Sequence, residues 1–482
     1  MNPYPPWLNA GDNAWQLTAA TLVGLMSLPG IAVLYGGLVQ KKWAVNTMLM
    51  AFSAFSLVLI VWVLWAYNMG FGKPMIHASV KGTATGFIGH PGPVLGSTQE
   101  QGQATIPLLS GSGGSIPDFR FPKSSLVYFQ FVFAAITPLL FLGSVVGRMS
   151  FKAWLLLIPL WTTFVYSVNA FLLWGGGWWA AKGALDYSGG YVIHLAAGTS
   201  GFVAAAVIGP RLARDRQHSA PNNLLLCATG AGILWLGWNG FNGGDPYFAG
   251  ADAATAVINT NLATATALLT WLFMDMLLSP QKKPTLLGSI NGMIVGLVAI
   301  TPAAGFVNGM GAIAIGAIAS AVVWASWYKL SATRPFKKVD DALGVVHTHG
   351  VAGLTGGLLV GIFADPKIIV YPGGSTTYPG LAYGRHSFHS LLTQLGAGLT
   401  IIVWDGTVTF LLLKLIGMFV RLRLPDAALE TGDIAVHEEE VYPADTLTAL
   451  AGAAPAAARA APEPGAEPAP ASPATQTAVL DE

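Results

Sequence analysis

The chain has 482 residues, 53% of them hydrophobic and only 10% charged, with a net charge of +1 and a mean hydropathy of +0.56. A soluble chain carries about 25% charged residues, so this composition excludes an ordinary soluble protein and indicates a polytopic membrane protein. The near-neutral balance offers no basic surface for nucleic acid, and the one cysteine, Cys227, closes no intrachain disulfide.

Roughly 20 predominantly apolar residues cross a bilayer as a helix. Eleven runs have that character: about 14–38, 46–70, 124–146, 152–174, 188–209, 222–244, 251–278, 285–303, 307–329, 346–364 and 390–419. The first follows "MNPYPPWLNAGDN", which lacks the basic start of a cleaved signal, so it reads as an uncleaved signal-anchor. The segment 71–123, rich in Gly, Ser, Pro and Thr, reads as an irregular surface loop. The fifth and tenth runs are glycine-rich, as expected of helices packed inside a bundle. Sixteen Lys and Arg, from Lys41 and Lys42 to Arg421 and Arg423, fall at one set of ends, and seven, including Lys73 and Arg385, at the other. The positive-inside rule puts the richer set in the cytoplasm, so the N-terminus lies outside and the C-terminus inside. That requires an odd number of spans. Residues 1–420 are then the membrane domain, 421–444 a cytoplasmic tail, and 445–482 an Ala/Pro-rich extension that reads as disordered.

The fifth run opens with "DYSGGYVIHLAAGTSG", which places Asp186, His194, Gly198 and Gly201 at D-x7-H-x3-G-x2-G spacing. The same pattern returns 155 residues later in "DALGVVHTHGVAGLTGG" as Asp341, His349, Gly353 and Gly356. The copies lie five spans apart, so the second is inverted: repeat one covers about 14–209, repeat two about 222–364, and a last helix about 390–419. Inverted repeats are a transporter architecture, with the substrate path near the midplane between the halves. Counting eight helical residues from each Asp to its His gives a depth of roughly 12 Å from opposite faces, which brings both imidazoles to the bilayer centre.

A lone intramembrane histidine is equally well a hydrogen-bonder between helices; the repeated spacing favours function. Asp186 and Asp341 read as helix N-caps, a role compatible with function, and the glycines as packing residues. Two neutral imidazoles can donate and accept hydrogen bonds to a small polar molecule or relay a proton. A metal site finds little support, because His347 and His349 in "HTH" do not share a helix face; bis-histidine haem ligation is a similarly weak rival. Phe133, Trp174 and Phe241 lie near outer helix ends in glycine-rich settings, with Asp245 beside them. Aromatic faces attract cations. Such a group above two neutral histidines fits a small cation that is recruited and then stripped of its charge.

The stretches "DNAWQLTAATLVGLMSLPGIAVLYGGLV", "WGGGWWAAKGALDYSGGYVIHLAAG", "WNGFNGGDPYFAGADAATAVINTN", "NGMIVGLVAITPAAGFV" and "HTHGVAGLTGG" together resemble the Amt/Mep/Rh ammonium transporter family, over about residues 10–445. "GFNGGDP", "HTHG" and "GDIAVHEEEVY" look like its Mep-like branch, which includes the plant type-2 transporters. The resemblance implies a homotrimer in the plasma or inner membrane, with one pore per subunit and neither cofactor nor enzymatic activity. It implies that His194 and His349 are twin pore histidines bridged through their rings. It makes Phe133 and Phe241 the stacked outer gate and Trp174 part of the external ammonium site. Asp186 then shapes that site by holding backbone near Ser188. At the position of Asp245 many relatives carry a serine that binds ammonium; a carboxylate there either binds the cation more tightly or pairs elsewhere. Glu430–Tyr442 resembles the family's ordered tail, which packs on neighbouring subunits and allows regulation by PII-class signalling proteins, although Glu438 stands where the family has glycine. Transport of ammonium, with methylammonium as analogue, is the leading expectation. The alternatives are an ammonium sensor with little flux and an Rh-like neutral gas channel.

Overall fold

The computed structural model describes residues 4–110, 115–217, 219–368, 370, 379–384 and 387–443. Arg385 and the Ala/Pro-rich extension lie outside them. The described residues to Glu439 form one compact unit.

Among the described residues, ten helices are long and apolar enough to cross a bilayer: Ala10–Leu38, Lys41–Phe71, Lys123–Val145, Phe151–Ala181, Gly190–Ile208, Leu224–Gly243, Ala251–Leu278, Gly309–Ala332, Val346–Phe363 and Phe388–Gly417. The remaining expected span is a shorter helix, Leu286–Ile300. It stops before residue 303, because Pro302 has no N–H to continue the ladder. The carbonyls freed there are put to use: Thr301 and Pro302 accept the N–H groups of Ser188 and Tyr187 at 3.1 and 3.2 Å. Lys123–Val145 runs through the middle of the bundle, with 94% of its apolar window buried. Exposed Phe52, Ile60, Phe388 and Leu411 sit on outward faces, as lipid contact requires.

The 71–123 loop departs from the expectation of an irregular surface segment. It carries a hairpin, His77–Val80 paired antiparallel with Thr83–Gly86. The connecting pair Lys81 and Gly82 both adopt positive φ, +50° and +86°, the twist that suits a two-residue hairpin. A short helix follows at Ser97–Gln101. Ala104, Ile106, Phe119 and Phe121 are buried, and Arg120 closes a 2.7 Å ion pair with Asp12 of the first helix. Apolar residues in this loop therefore form tertiary core, which period-based reading cannot register.

Both histidine-bearing helices begin in wide, π-type turns, Gly190–Leu195 and Val346–Val351. Asp186 Oδ2 accepts the N–H groups of Tyr191 and Val192, each at 3.0 Å. Asp341 accepts those of Val345 and Val346 at 3.1 and 2.8 Å. The capping expectation therefore matches what is seen, but the helical count does not. Residues 186–189 are not helical, with Gly189 at φ +109°, so His194 falls within the first wide turn. The depth of roughly 12 Å that eight helical residues from Asp186 would give therefore does not apply, because the helix starts at Gly190.

The tail packs on the start of the second spanning helix. Short helices Asp426–Thr431 and Asp433–His437 bring the Asp433 carboxylate onto the N–H groups of Val45 and Asn46 at 2.8 and 3.0 Å. It acts as an N-cap supplied from almost four hundred residues away along the chain,. Lys42 Nζ donates to Leu429 O at 2.9 Å and pairs with Asp215 at 3.0 Å, while His437 Nε2 meets Asn46 Oδ1 at 2.9 Å. Glu438 is left-handed, with φ +59°, a conformation in which the glycine expected there costs less. Burial pushes the Asp433 carboxyl up to about 6, with the N–H groups of Asn46 and Val45 pulling it down and Glu439 adding a small rise. A carboxyl with its pKa raised on docking binds the proton more tightly when docked. Docking thus gains most below about pH 4 and loses that gain as pH rises through about 6. The ratio of tail proteolysis rates, wild type over Asp433→Asn, is expected to increase between about pH 5 and about pH 7; a flat ratio is the contrary result.

Candidate functional site

The residues singled out in sequence converge on one column. Phe133 and Phe241 stack with ring centroids 4.3 Å apart and planes at 25°. Trp174 stands edge-on to Phe133 at 6.0 Å. Below Phe241 lies His194, at 6.0 Å between centroids, and beside His194 lies His349, with Nδ1 to Nδ1 3.3 Å. All five side chains are buried. Gly198 makes the meeting of the histidine helices possible: a Cβ there would collide with Cα and N of Gly350.

The rim is built from backbone held by neighbouring elements. Gln394, on the last helix, accepts the Leu185 N–H and donates to the Leu185 carbonyl, both at 2.7 Å. Trp174 Nε1 donates to the Asp186 carbonyl at 2.6 Å. Ser188 Oγ donates to the Phe241 carbonyl at 2.9 Å, which ties the entry of the fifth span to the sixth. A cavity of about 260 Å³ opens here, walled by Trp174, Asp186, Tyr187, Asp245, Tyr247 and Phe306. Ile106, Leu109 and Ile116 of the long loop complete the wall. Asp245 is 6% exposed; among the described residues its Oδ2 has no hydrogen-bond partner, and no ion pair includes Asp245 or Asp186. A carboxylate with no cation of its own, in a desolvated aromatic cup, is suited to a small cation.

On the other side of the histidine pair a second cavity, about 290 Å³, reaches His349. His347 does not face it. Its Nδ1 meets Ser326 Oγ at 2.8 Å, its ring lies 5.7 Å from that of Trp327, and it lines a separate cavity with Asp341, as its two-residue offset from His349 demands.

Sequence reading missed Trp238, which stacks on His194 at 5.4 Å while its Nε1 donates to Thr301 Oγ1 at 2.9 Å. It also missed Tyr187, Tyr247 and Phe306. Trp238 and Tyr247 flank "NGFNGGDP", so proximity to that motif was the available signal. Among the described residues no three His, Cys, Asp or Glu side chains gather as a metal site.

A model described as Ammonium Transporter Family matches residues 14–442. Ammonium transporter 3 member 2 of Oryza sativa subsp. japonica is 48% identical over 445 residues, covering 90% of each chain. Ammonium transporter 2 of Arabidopsis thaliana is 47% identical over 441 residues, covering 91% of this chain and 89% of its own. The crystal structure of Saccharomyces cerevisiae Mep2 superposes with a TM-score of 0.74 at 28% identity, over 91% of this chain and 95% of that one.

Proposed function

The chain belongs to the ammonium transporter family, and from that premise we propose that it carries ammonium across the cell membrane, by eleven spans in an inverted five-plus-five arrangement with the N-terminus outside. The observation that carries the reading is the Phe133–Phe241 stack set between a buried carboxylate, Asp245, whose Oδ2 has no hydrogen-bond partner among the described residues, and two touching imidazoles.

Ammonium enters the outer cup, where the Trp174 and Phe133 rings and the Asp245 carboxylate replace part of its water. Asp186 and Ser188 hold the cup's backbone in place. A bare cation in the apolar column beneath would cost several kcal/mol, so the ion gives up a proton to water in the outer cup, leaving ammonia and hydronium, before passing the phenylalanines. Ammonia, which donates and accepts hydrogen bonds, then passes the imidazoles. Sodium and potassium have no proton to lose and stay outside. The subunit works in a homotrimer, and its docked tail is where a PII-class protein would act.

Full-length protein in proteoliposomes is expected to take up methylammonium; vesicles with folded protein and no uptake would sink this reading and favour the sensor. A current on an ammonium jump over a solid-supported membrane means that the proton crosses too. Uptake without current means that neutral ammonia crosses alone.

A further inference from the structure

The 290 Å³ cavity beyond His349 contains a feature that the transport reading does not use. Asp275, near the end of Ala251–Leu278, lines it and is 3% exposed. Its Oδ1 accepts Trp324 Nε1 at 2.8 Å and the Tyr328 hydroxyl at 3.4 Å. Among the described residues neither its Oδ2 nor Trp271 Nε1 has a hydrogen-bond partner, and Asp275 joins no ion pair. Both atoms crowd the place where a side chain on Gly288 would begin. A Cβ there would meet Asp275 Oδ2 first, with Thr285 Oγ1 at 2.9 Å and Trp271 Nε1 at 3.1 Å. The glycine thus leaves a polar notch open to the cavity, whose walls include the rings of Trp271, Trp327 and Tyr328.

A buried carboxylate without a cationic partner carries a desolvation cost that a bound cation would offset. Indole and phenol rings beside it favour a small organic cation over a bare metal ion. Oδ2 can accept an N–H, and the cavity is wide enough for ammonium with part of its water.

We propose that Asp275, with Trp271 and Tyr328, forms a second cation subsite for ammonium or methylammonium at the cytoplasmic mouth of the pore. The proposal rests on the transport reading and its orientation. Ammonia leaving His349 takes a proton from hydronium in this cavity to give ammonium and water, and the ion rests against Asp275 before release. From the opposite direction, the subsite sets the affinity for ammonium presented by the cytoplasm.

The test is methylammonium flux through the full chain in oriented vesicles, with half-saturation measured separately from each face. Asp275→Asn is expected to raise half-saturation from the cytoplasmic face about tenfold more than from the outer face. Tyr328→Leu, at a residue 39% exposed and therefore tolerant of change, is expected to act in the same direction and serves if Asp275→Asn fails to fold. Trp324→Phe, which removes a partner of Oδ1 and keeps the charge, should shift it less. Equal shifts from both faces, or none, in the folded variants would overturn the subsite. Loss of flux from both faces in the wild type would instead overturn the transport reading.

Discussion

Alanine at His194 or at His349 is expected to lower methylammonium uptake about ten- to hundredfold. Losing one hydrogen-bonding partner in a desolvated site costs about 1–3 kcal/mol, and each 1.4 kcal/mol is a factor of ten. The geometry explains why either loss is enough. The two Nδ1 atoms are 3.3 Å apart, so one ring donates and the other accepts. For neutral imidazoles that fixes the far nitrogens: one Nε2 carries a hydrogen and the other a lone pair. The pair therefore offers a donor and an acceptor, which matches ammonia. His194 Nε2 has no partner among the described residues, as expected of an atom kept for a passing molecule. Removing one ring also frees the other to adopt either tautomer, so the double variant should be little worse than the single ones. Unchanged uptake by both single variants, at equal protein in the membrane, would remove the pair from the mechanism.

A larger structural effect is expected at Gly198. Its neighbour across the helix crossing is backbone, Cα and N of Gly350, and backbone cannot rotate aside as a side chain can. Overpacking costs about 1–3 kcal/mol where side chains can yield; here the upper end applies, because two helices must separate. Gly350 adjoins His349, so the separation opens the imidazole pair. Gly198→Ala should therefore lower the melting temperature and cut uptake as deeply as loss of a histidine. Gly232→Ala is the matched control, since a Cβ there meets nothing within 4 Å. A Gly198→Ala protein as stable and active as the control would show that the crossing does not set the pair.

The column was legible where chemistry repeats in sequence. The D-x7-H spacing identified His194 and His349, and glycine-rich settings flagged Phe133, Trp174 and Phe241. What escaped notice depends on contacts between distant segments. Trp238 looks like any membrane tryptophan until the fold lays it on His194. Ile106 and Phe119 look like loop residues until Arg120 draws that loop onto Asp12. The helical count from Asp186 failed because a left-handed Gly189 and the carbonyls of Thr301 and Pro302 hold 186–189 out of the helix, and no local propensity encodes that. Asp275 gave no signal at all, since its worth lies in Gly288, on another helix.

The cap that Asp433 places on the second spanning helix bears on how shortened or fused versions of the chain are to be compared. A protein ending at Arg423 loses its tail and also the acceptor for two amides at the root of a membrane helix. A drop in flux after that deletion would mix a frayed helix end with lost signalling. A reporter joined beyond Tyr442 leaves the cap in place, and Asp433→Asn takes the acceptor from one of the two amides while the rest of the tail stays. Those two proteins, rather than the deletion, separate a sensor from a carrier.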